Sequence, residues 1–384
     1  MMKRFLLLFT TTFLLLGCRK DDSTTITPPP PGPEVVKTGD FAVFSMPLIK
    51  DRVAFSTVAE GRESKPGAGD NPKLTLTDSG FGHPSIINIP GGFQGYKFWC
   101  AMTPYFGVVM QQPDYMAYEN PHIFYSNDGV NWQQPTDVNP IDTPISHIYN
   151  PYWSDVNLVY DNNKLYLYYR GNSLPPGFFG DKKIHHRAVV VRSSSNGVDW
   201  TDRKLLYSSA ITKGIDSKSL IVSPAFVKNS ESEWLCYDIV YSTTDNPIPS
   251  GGNQSQAFLM RRKGNAPDGT FEDYSSDKVC SFVNRPWGPD YDPWHIDMVK
   301  YDNTYFLLVC AGAVGKSHGD ALYLAYSKDG ISFKVIETPL FDKDTYKSTI
   351  VPISFDKDQV KFKLYRSVKT KGTIELYDLT LHKL

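Results

Sequence analysis

One seven-residue phrase occurs three times in this chain and constrains its fold more than any other feature. The phrase is a serine, then an Asp-Gly or Asn-Gly pair, then an aromatic residue three positions after the glycine. The copies are residues 126–132, 194–200 and 327–333, with a degenerate fourth copy at 268–271. Asp-Gly and Asn-Gly pairs favour a two-residue hairpin of type I′, under which the aromatic ring can pack. The sequence therefore predicts the same β-hairpin several times over.

A second phrase, a short apolar strand ahead of each hairpin, completes the repeat. Its five copies begin at His83, Asp155, Ser223, His295 and, less regularly, Ser348. Helical periodicity is scarce after residue 35, whereas short alternating runs of Tyr, Phe, Val and Ile recur. Five four-stranded units with a period near 70 residues predict an all-β fold, a five-bladed β-propeller. A sandwich or a two-domain chain is the alternative, and it explains the repeat poorly.

The fifth unit is one strand short, so the ring needs a strand from elsewhere. The candidates are the N-terminal segments 41–45 and 53–57. A strand from either segment would close the last blade and leave few exposed sheet edges. We therefore expect residues 35–384 to form one propeller domain.

The first 34 residues carry the features of an exported lipoprotein. Lys3 and Arg4 precede an apolar run of about a dozen residues, shorter than the roughly 20 that a membrane-spanning helix needs. The run ends in Leu-Leu-Gly-Cys, which resembles a bacterial lipobox with Cys18 as the lipidated residue; an ordinary signal peptide is the alternative. We expect residues 1–17 to be a signal peptide and 18–34 a Pro- and Thr-rich tether. The acidic residues after Cys18 favour surface display on the outer membrane, with membrane contact through the lipid only.

Charge and cysteine content exclude other classes of function. The formal net charge of −1 provides no basic surface for nucleic acid. Four cysteines follow Cys18, without the local Cys or His spacing of a zinc site, and three of them lie in apolar strands. We therefore expect buried free thiols, no metal ligands and no required cofactor, although the central channel leaves room for a structural ion.

Strand direction in a propeller predicts which side chains share a face. The starts of the first and third strands and the end of the second strand of each blade lie on one face, and the hairpins lie on the other. First-strand starts contribute His83, Asp155, Ser223, His295 and Ser348, with Asp297 two residues further on. Second-strand ends contribute Arg170, Tyr241 and Arg366; third-strand starts contribute Glu119, His185, His186, His318 and Asp320; a connection contributes His147. The aromatic residues beside two first-strand starts are Trp153, Trp287, Tyr291 and Trp294. Carboxylates, imidazoles and aromatic rings around a shallow mouth suit a carbohydrate.

The blade openings His83-Pro-Ser, Asp155, Ser223-Pro and Trp294-His-Ile-Asp resemble those of the five-bladed furanosidase superfamily, glycoside hydrolase family 43 and its relatives. The resemblance implies an Asp base, an orienting Asp and a Glu acid at the first three openings. This chain has His83, Asp155 and Ser223 there, so it keeps the middle carboxylate alone. Inverting hydrolysis needs an acid and a base about 6.5–9.5 Å apart. Glu119 and Asp297 are the candidates to complete the pair, and His83 or His295 could serve as the acid.

These residues favour a surface glycoside hydrolase, acting by inversion on a polysaccharide or oligosaccharide. The expected catalytic residues are Asp155, Glu119 and Asp297, and the expected substrate-binding residues are His83, Arg170, Trp153, Trp294, His295 and Arg366. A non-catalytic glycan-binding lipoprotein is the alternative, because two family carboxylates are missing, and a protein-interaction propeller is a third. Asp155 and Glu119 could instead cap backbone amides, and Arg170 could be an ion-pair partner.

Overall fold

A computed structural model of the chain describes residues 40–61, 72–143, 152–171, 188–209, 211–214, 219–241, 257–314 and 319–384. The predicted signal peptide and tether, Cys18, His147, His185, His186 and His318 lie outside the described residues. The described part is nearly all β, with two short 3-10 helices at Tyr115–Tyr118 and Ser276–Lys278. No helix in these ranges is long and apolar enough to span a membrane.

The strands form five blades, antiparallel except for one parallel pair in blade 4, which confirms the predicted propeller. The N-terminal strands are β1 (Phe41–Ser45), β2 (Leu48–Lys50), β3 (Ser56–Glu60) and β4 (Lys73–Thr77). Blade 1 contains β5 (Phe81–Phe93), β6 (Tyr96–Pro104) and β7 (His122–Ser126). Blade 2 contains β8 (Trp153–Asp161), β9 (Lys164–Gly171), β10 (Ala188–Ser194) and β11 (Lys204–Ser208). Blade 3 contains β12 (Leu220–Ser230), β13 (Glu233–Tyr241) and β14 (Ala257–Gly264). Blade 4 contains β15 (Ser281–Phe282), β16 (Tyr291–Tyr301), β17 (Thr304–Ala313), β18 (Ala321–Ser327) and β19 (Ser332–Val335). Blade 5 contains β20 (Thr349–Phe355), β21 (Gln359–Val368) and β22 (Thr373–Lys383).

The first N-terminal strand closes the last blade. Strand β1 pairs antiparallel with β22 and is the fourth strand of blade 5. Its Phe41 is buried and packs edge-on against Phe306 of blade 4, with ring centroids 5.3 Å apart. The other candidate segment packs on blade 1 instead, where Phe55 stacks on Trp132 at 5.2 Å. The ring is therefore closed by residues 41–45.

The repeated hairpin turns are built differently from the predicted type I′ turn, so that prediction is wrong. Gly129, Gly197 and Gly330 have φ of 73°, 76° and 68°, but the Asp or Asn before each glycine does not have positive φ. The serine that opens the phrase supplies the missing constraint. In the three copies its Oγ accepts the glycine N–H at 3.0, 2.7 and 2.9 Å, and the carboxylate or amide oxygen caps the two amides after the glycine. A side-chain cap thus replaces a second left-handed residue.

Each turn packs against the second strand of the preceding blade. Tyr365 and Tyr237 donate hydroxyl hydrogen bonds of 2.9 Å to the carbonyls of Gly129 and Gly330. Tyr168 does the same to Pro267 at 2.8 Å, in the degenerate fourth turn. That turn therefore occupies the equivalent place, although its Gly269 does not have positive φ.

The innermost strands are joined by side chains two residues after four of the five blade openings; the corresponding position after the third opening is Ala225. In this ring of clasps, a side-chain oxygen accepts a backbone N–H from the innermost strand of the next blade. The four pairs are Ser85 with Leu158 at 2.9 Å, Asn157 with Phe226 at 3.0 Å, Asp297 with Ile350 at 3.1 Å and Thr349 with Ile86 at 3.4 Å. The register makes Lys347, not the predicted Ser348, the fifth blade opening.

The cysteines have the predicted form. Cys100, Cys236, Cys280 and Cys310 are free thiols, and each is buried. They fill the space between strands as small apolar side chains.

Candidate functional site

Five side chains, one from each blade opening, converge on the axis of the propeller. This central ring consists of His83, Asp155, Ser223, His295 and Lys347, all at most 2% exposed. His83, Asp155 and Ser223 have φ of 53°, 52° and 48°, and each lies in a bulge of its innermost strand. Positive φ is costly for residues other than glycine and is concentrated at functional sites. The bulges redirect these three side chains to the axis.

Asp155 is the hub of the ring. Its Oδ2 accepts hydrogen bonds from the Arg170 guanidinium and from the Ser223 backbone N–H at 3.0 Å. Its Oδ1 lies 3.3 Å from His83 Nε2 and 3.5 Å from His295 Nδ1, and it has no hydrogen-bond partner. Burial opposes ionisation, but the Arg170 guanidinium, with a smaller effect from Lys347, outweighs it and holds the pKa of Asp155 well below its usual range. Asp155 is therefore a carboxylate with one oxygen fixed and one available.

The two histidines are neutral and held in place. Burial lowers the pKa of His83 to about 3 and that of His295 well below its usual value, despite the attraction of Asp155. His83 Nδ1 lies 2.8 Å from Thr103 Oγ1, and His295 Nδ1 lies 2.6 Å from Ser223 Oγ. His295 Nε2 is buried without a hydrogen-bond partner. A neutral imidazole with one nitrogen engaged and the other available is the form that binds a metal ion.

His83, Asp155 and His295 could hold a divalent metal ion. One ligand atom from each lies within 4.8 Å of the other two. Two imidazoles and one carboxylate suit zinc, iron or manganese and leave coordination positions open. The expectation of no metal ligands rested on local spacing, which cannot detect ligands from three separate blades. The repeat was the one sequence feature that could have brought these three residues together, because each is a blade opening.

Glu119 lies beside this cluster, as predicted. Its carboxylate accepts a hydrogen bond from Ser154 Oγ, and its Oε1 lies 3.7 Å from His83 Nδ1. Burial raises the pKa of Glu119 to about 7, against the opposing effects of Ser154 and Arg170. The site therefore contains a carboxyl group able to hold a proton near neutral pH, next to one that stays ionised.

Other predicted site residues lie farther from Asp155 or have other partners. Asp297 is one level deeper, where its carboxylate accepts hydrogen bonds from Thr349 Oγ1 at 2.8 Å and from Ile350 N. Trp153 is buried under Arg203, whose guanidinium lies 5.0 Å from the ring. Arg366 forms an ion pair with Glu375 at 3.0 Å. Within the described residues, these contacts are structural ones.

Arg170 and Trp294 border the site. Arg170 is the ion-pair partner of Asp155, and its NH1 donates to Tyr152 Oη at 2.9 Å. The Trp294 ring lies 5.7 Å from the His295 ring and is 5% exposed. Its indole packs against Tyr241. The main contact of Arg170 is therefore the ion pair with Asp155, and Trp294 packs against the side of His295.

Sequence reasoning missed two tyrosines that cover the histidines. The Tyr346 ring lies 4.3 Å from His295 and 5.1 Å from His83. Tyr105 stacks parallel to Tyr346 at 6.0 Å and lies 5.4 Å from His83. Tyr346 immediately precedes the fifth blade opening, as Trp294 precedes the fourth, so correct alignment of the fifth repeat would have found it.

Comparisons with known proteins agree on the fold. No protein-family model matches the chain. A curated relative, the A type blood N-acetyl-alpha-D-galactosamine deacetylase of Flavonifractor plautii, is 25% identical over 292 residues, which cover 67% of this chain and 34% of the relative. The chain thus spans about a third of the length of that relative.

Two solved structures share the architecture. An N-acetylgalactosamine deacetylase from F. plautii, in complex with blood group B trisaccharide, has a TM-score of 0.60 and 18% identity over 85% of this chain and 95% of its own. RS223 β-xylosidase has a TM-score of 0.50 and 12% identity over 79% of this chain and 91% of its own. The expected resemblance to propeller glycoside hydrolases is confirmed at the level of the fold.

Proposed function

We propose that this chain is a glycan-processing hydrolase that removes the acetyl group from an N-acetylated amino sugar. One observation carries the proposal: Asp155 Oδ1 faces two neutral histidines and has no hydrogen-bond partner. The similarity to a deacetylase that acts on N-acetyl-galactosamine supports the choice of substrate.

The residues present fit metal-assisted hydrolysis of an amide. His83, Asp155 and His295 would hold the ion, and Thr103 and Ser223 would orient the two imidazoles. A bound divalent ion polarises a carbonyl and lowers the pKa of water. Arg170 keeps Asp155 ionised and fixed, and Glu119 is placed to hold or release a proton beside His83.

A second candidate is hydrolysis of a glycosidic bond, as expected from the sequence. The observation that favours it is that two carboxyl groups, Asp155 and Glu119, flank His83. An inverting enzyme would use one carboxyl group as acid and the other as base. Only the first candidate gives a role to both histidines, so we place it ahead of the second.

Product analysis separates the candidates. The mature chain, treated with chelator and reloaded with Zn²⁺ or Mn²⁺, is incubated with a panel of N-acetylated and non-acetylated oligosaccharides. We expect the protein to release acetate only when metal is bound, and we expect His295→Ala to lose this activity. New reducing ends without acetate would support glycosidic cleavage, and sugar binding without either product would support a non-catalytic glycan-binding protein.

The matched control for His295→Ala is His382→Gln, a histidine on the outer part of blade 5 that stacks on Phe44 at 3.9 Å. This variant should retain both metal binding and acetate release. Equal losses in the two variants would point to a general effect on folding and contradict a role for the central ring.

We further propose that Cys18 is lipidated and that the protein is anchored to the outer membrane, facing outwards. The Leu-Leu-Gly-Cys sequence that ends the apolar run supports lipidation, and the acidic residues after Cys18 support surface display. Fatty-acid labelling of wild type but not of Cys18→Ala is the expected result, and equal labelling would contradict it.

A further inference from the structure

Lys347 is the fifth member of the central ring and has no role in the chemistry proposed above. It is 1% exposed, and lysine is rarely buried to that degree without partners. Its Nζ donates a hydrogen bond to the backbone carbonyl of Val156, the residue after Asp155 in blade 2. The side chain of blade 5 therefore reaches the innermost strand of blade 2 across the axis.

Two buried carboxylates attract this ammonium group. Lys347 interacts electrostatically with Asp155, in the central ring, and with Asp297, in the ring of clasps. Arg170 is the other cation near it. Asp155 is already paired with Arg170, whereas Asp297 accepts hydrogen bonds from neutral donors. Lys347 is therefore the cation that balances the deeper carboxylate.

Three oxygen-bearing groups interact with Lys347 Nζ. The Val156 carbonyl accepts its hydrogen bond, and the carboxylates of Asp155 and Asp297 attract it electrostatically. Carbonyl and carboxylate oxygens at the axis of a ring are the ligands that hard cations such as Ca²⁺ prefer. A protein can satisfy such a cluster with a bound ion or with an ammonium group, because each supplies positive charge to buried oxygens.

The two carboxylates that interact with Lys347 belong to different parts of the structure. A cavity of about 710 Å³ opens on the side of the ring of clasps and is lined by residues of all five blades, among them Asp297 and Lys300. Asp155 does not line this cavity and belongs to the candidate site. Lys347 therefore interacts with one carboxylate that lines the cavity, Asp297, and with one that belongs to the candidate site, Asp155.

We propose that Lys347 is a built-in cation that takes the place of a central-channel ion and holds the blade 2 bulge that presents Asp155. Lys347 is thus a positioning residue, since it acts through Val156 and Asp155. The inference does not depend on which bond the protein hydrolyses.

The test replaces Lys347 with a neutral side chain of similar length and asks whether an ion takes its place. Chelator-treated Lys347→Met is titrated with CaCl₂ and with NaCl, with unfolding temperature and calorimetric binding as readouts. We expect Ca²⁺ to bind the variant at least tenfold more tightly than wild type. The unfolding midpoint should rise by on the order of 5 °C at about 100 times the dissociation constant. Lys300→Met is the matched control, since Lys300 Nζ is bonded to Asn229 on the cavity side, and it should behave as wild type.

A second variant covers loss of folding. Lys347→Met combined with Asp297→Leu removes the buried cation and the carboxylate that it balances, so this double variant should fold and show no response to Ca²⁺. A folded Lys347→Met with no gain in cation binding would overturn the proposal. If the single variant does not fold in any salt, recovery of folding in the double variant supports the proposal, and failure of both overturns it.

Discussion

Asp155 Oδ1 and His83 Nε2 lie 3.3 Å apart at the axis of the propeller, and the carboxylate oxygen has no hydrogen-bond partner. Both residues have positive φ and are 68–72 residues from the neighbouring blade openings. The fold therefore brings a carboxylate and an imidazole together from two blades and leaves one oxygen of the carboxylate available. Such a bare buried oxygen is costly unless a ligand or ion satisfies it.

Loss of the Asp155 charge should strongly reduce turnover without unfolding the protein. Asp155→Asn keeps the size of the side chain but removes the negative charge between Arg170 and the two histidines. We expect a decrease in turnover on the order of 10²-fold or more. Acetate release and bound metal, measured with circular dichroism as a folding control, check this. Full activity in the variant would exclude Asp155 from the chemistry.

Ser223→Ala should weaken metal binding more than it affects stability. Ser223 Oγ lies 2.6 Å from His295 Nδ1, so its removal frees the imidazole to rotate. Partners of this kind affect metal affinity by about 10–100-fold. Competition with a chromogenic chelator measures the affinity, and Ser281→Ala, at an exposed serine, is the control. Unchanged affinity would show that His295 is oriented by packing alone.

Asp297→Ala should lower stability while leaving the central ring able to bind metal. Its carboxylate accepts hydrogen bonds from Thr349 Oγ1 and the Ile350 amide, which link blade 4 to blade 5. Leaving these buried donors unsatisfied should cost about 2–4 kcal/mol in the free energy of unfolding. Urea unfolding and metal titration of the same preparation check both statements. A variant of native stability that has lost all turnover would instead support the catalytic role expected from the sequence.

The free energy of unfolding should decrease as the pH is lowered, and His122, a buried histidine of blade 1, should contribute to this decrease. Burial lowers the pKa of His122 to about 4, although its hydrogen bond to the Asn120 carbonyl opposes the shift. His122 binds a proton near pH 6.5 in the unfolded chain but only near pH 4 in the native state. Its contribution to stability is therefore fully present above pH 6.5 and is lost progressively as the pH is lowered from 6.5 to about 4. The loss amounts to about 3 kcal/mol. The difference in unfolding free energy between wild type and His122→Gln should therefore vary over this range, and a constant difference would contradict the assignment.

The repeat was sufficient to predict the number of blades, and strand direction was sufficient to predict a common face for Asp155, His83, His295, Glu119 and Arg170. Both rules depend only on local pattern and connectivity, so the number of blades and the shared face could be predicted without knowledge of the tertiary contacts. The turn type was missed for a local reason. An Asp-Gly pair does not reveal that a serine two residues earlier will bond the glycine amide and make a second left-handed residue unnecessary.

The fifth blade shows where pattern alone fails. Its opening was placed at Ser348, in the least regular copy of the repeat. The Ile86 amide donates a hydrogen bond to Thr349 Oγ1, and this clasp fixes the opening at Lys347. That hydrogen bond joins the last blade to the first, over 263 residues of chain. The one-residue difference changes which side chain reaches the axis, since neighbouring residues of a strand point to opposite faces.

The sequence by itself determined an all-β repeat of five units, the need for an N-terminal strand to close it and the face on which the polar side chains meet, because these follow from hydrophobic alternation, turn residues and strand direction. Only the tertiary structure decided that Asp155 keeps an available oxygen between two neutral histidines, that Asp297 links two blades, and that a lysine occupies the axis. Those outcomes depend on bulges, burial and distances between side chains of different blades, and such quantities arise only when the ring closes.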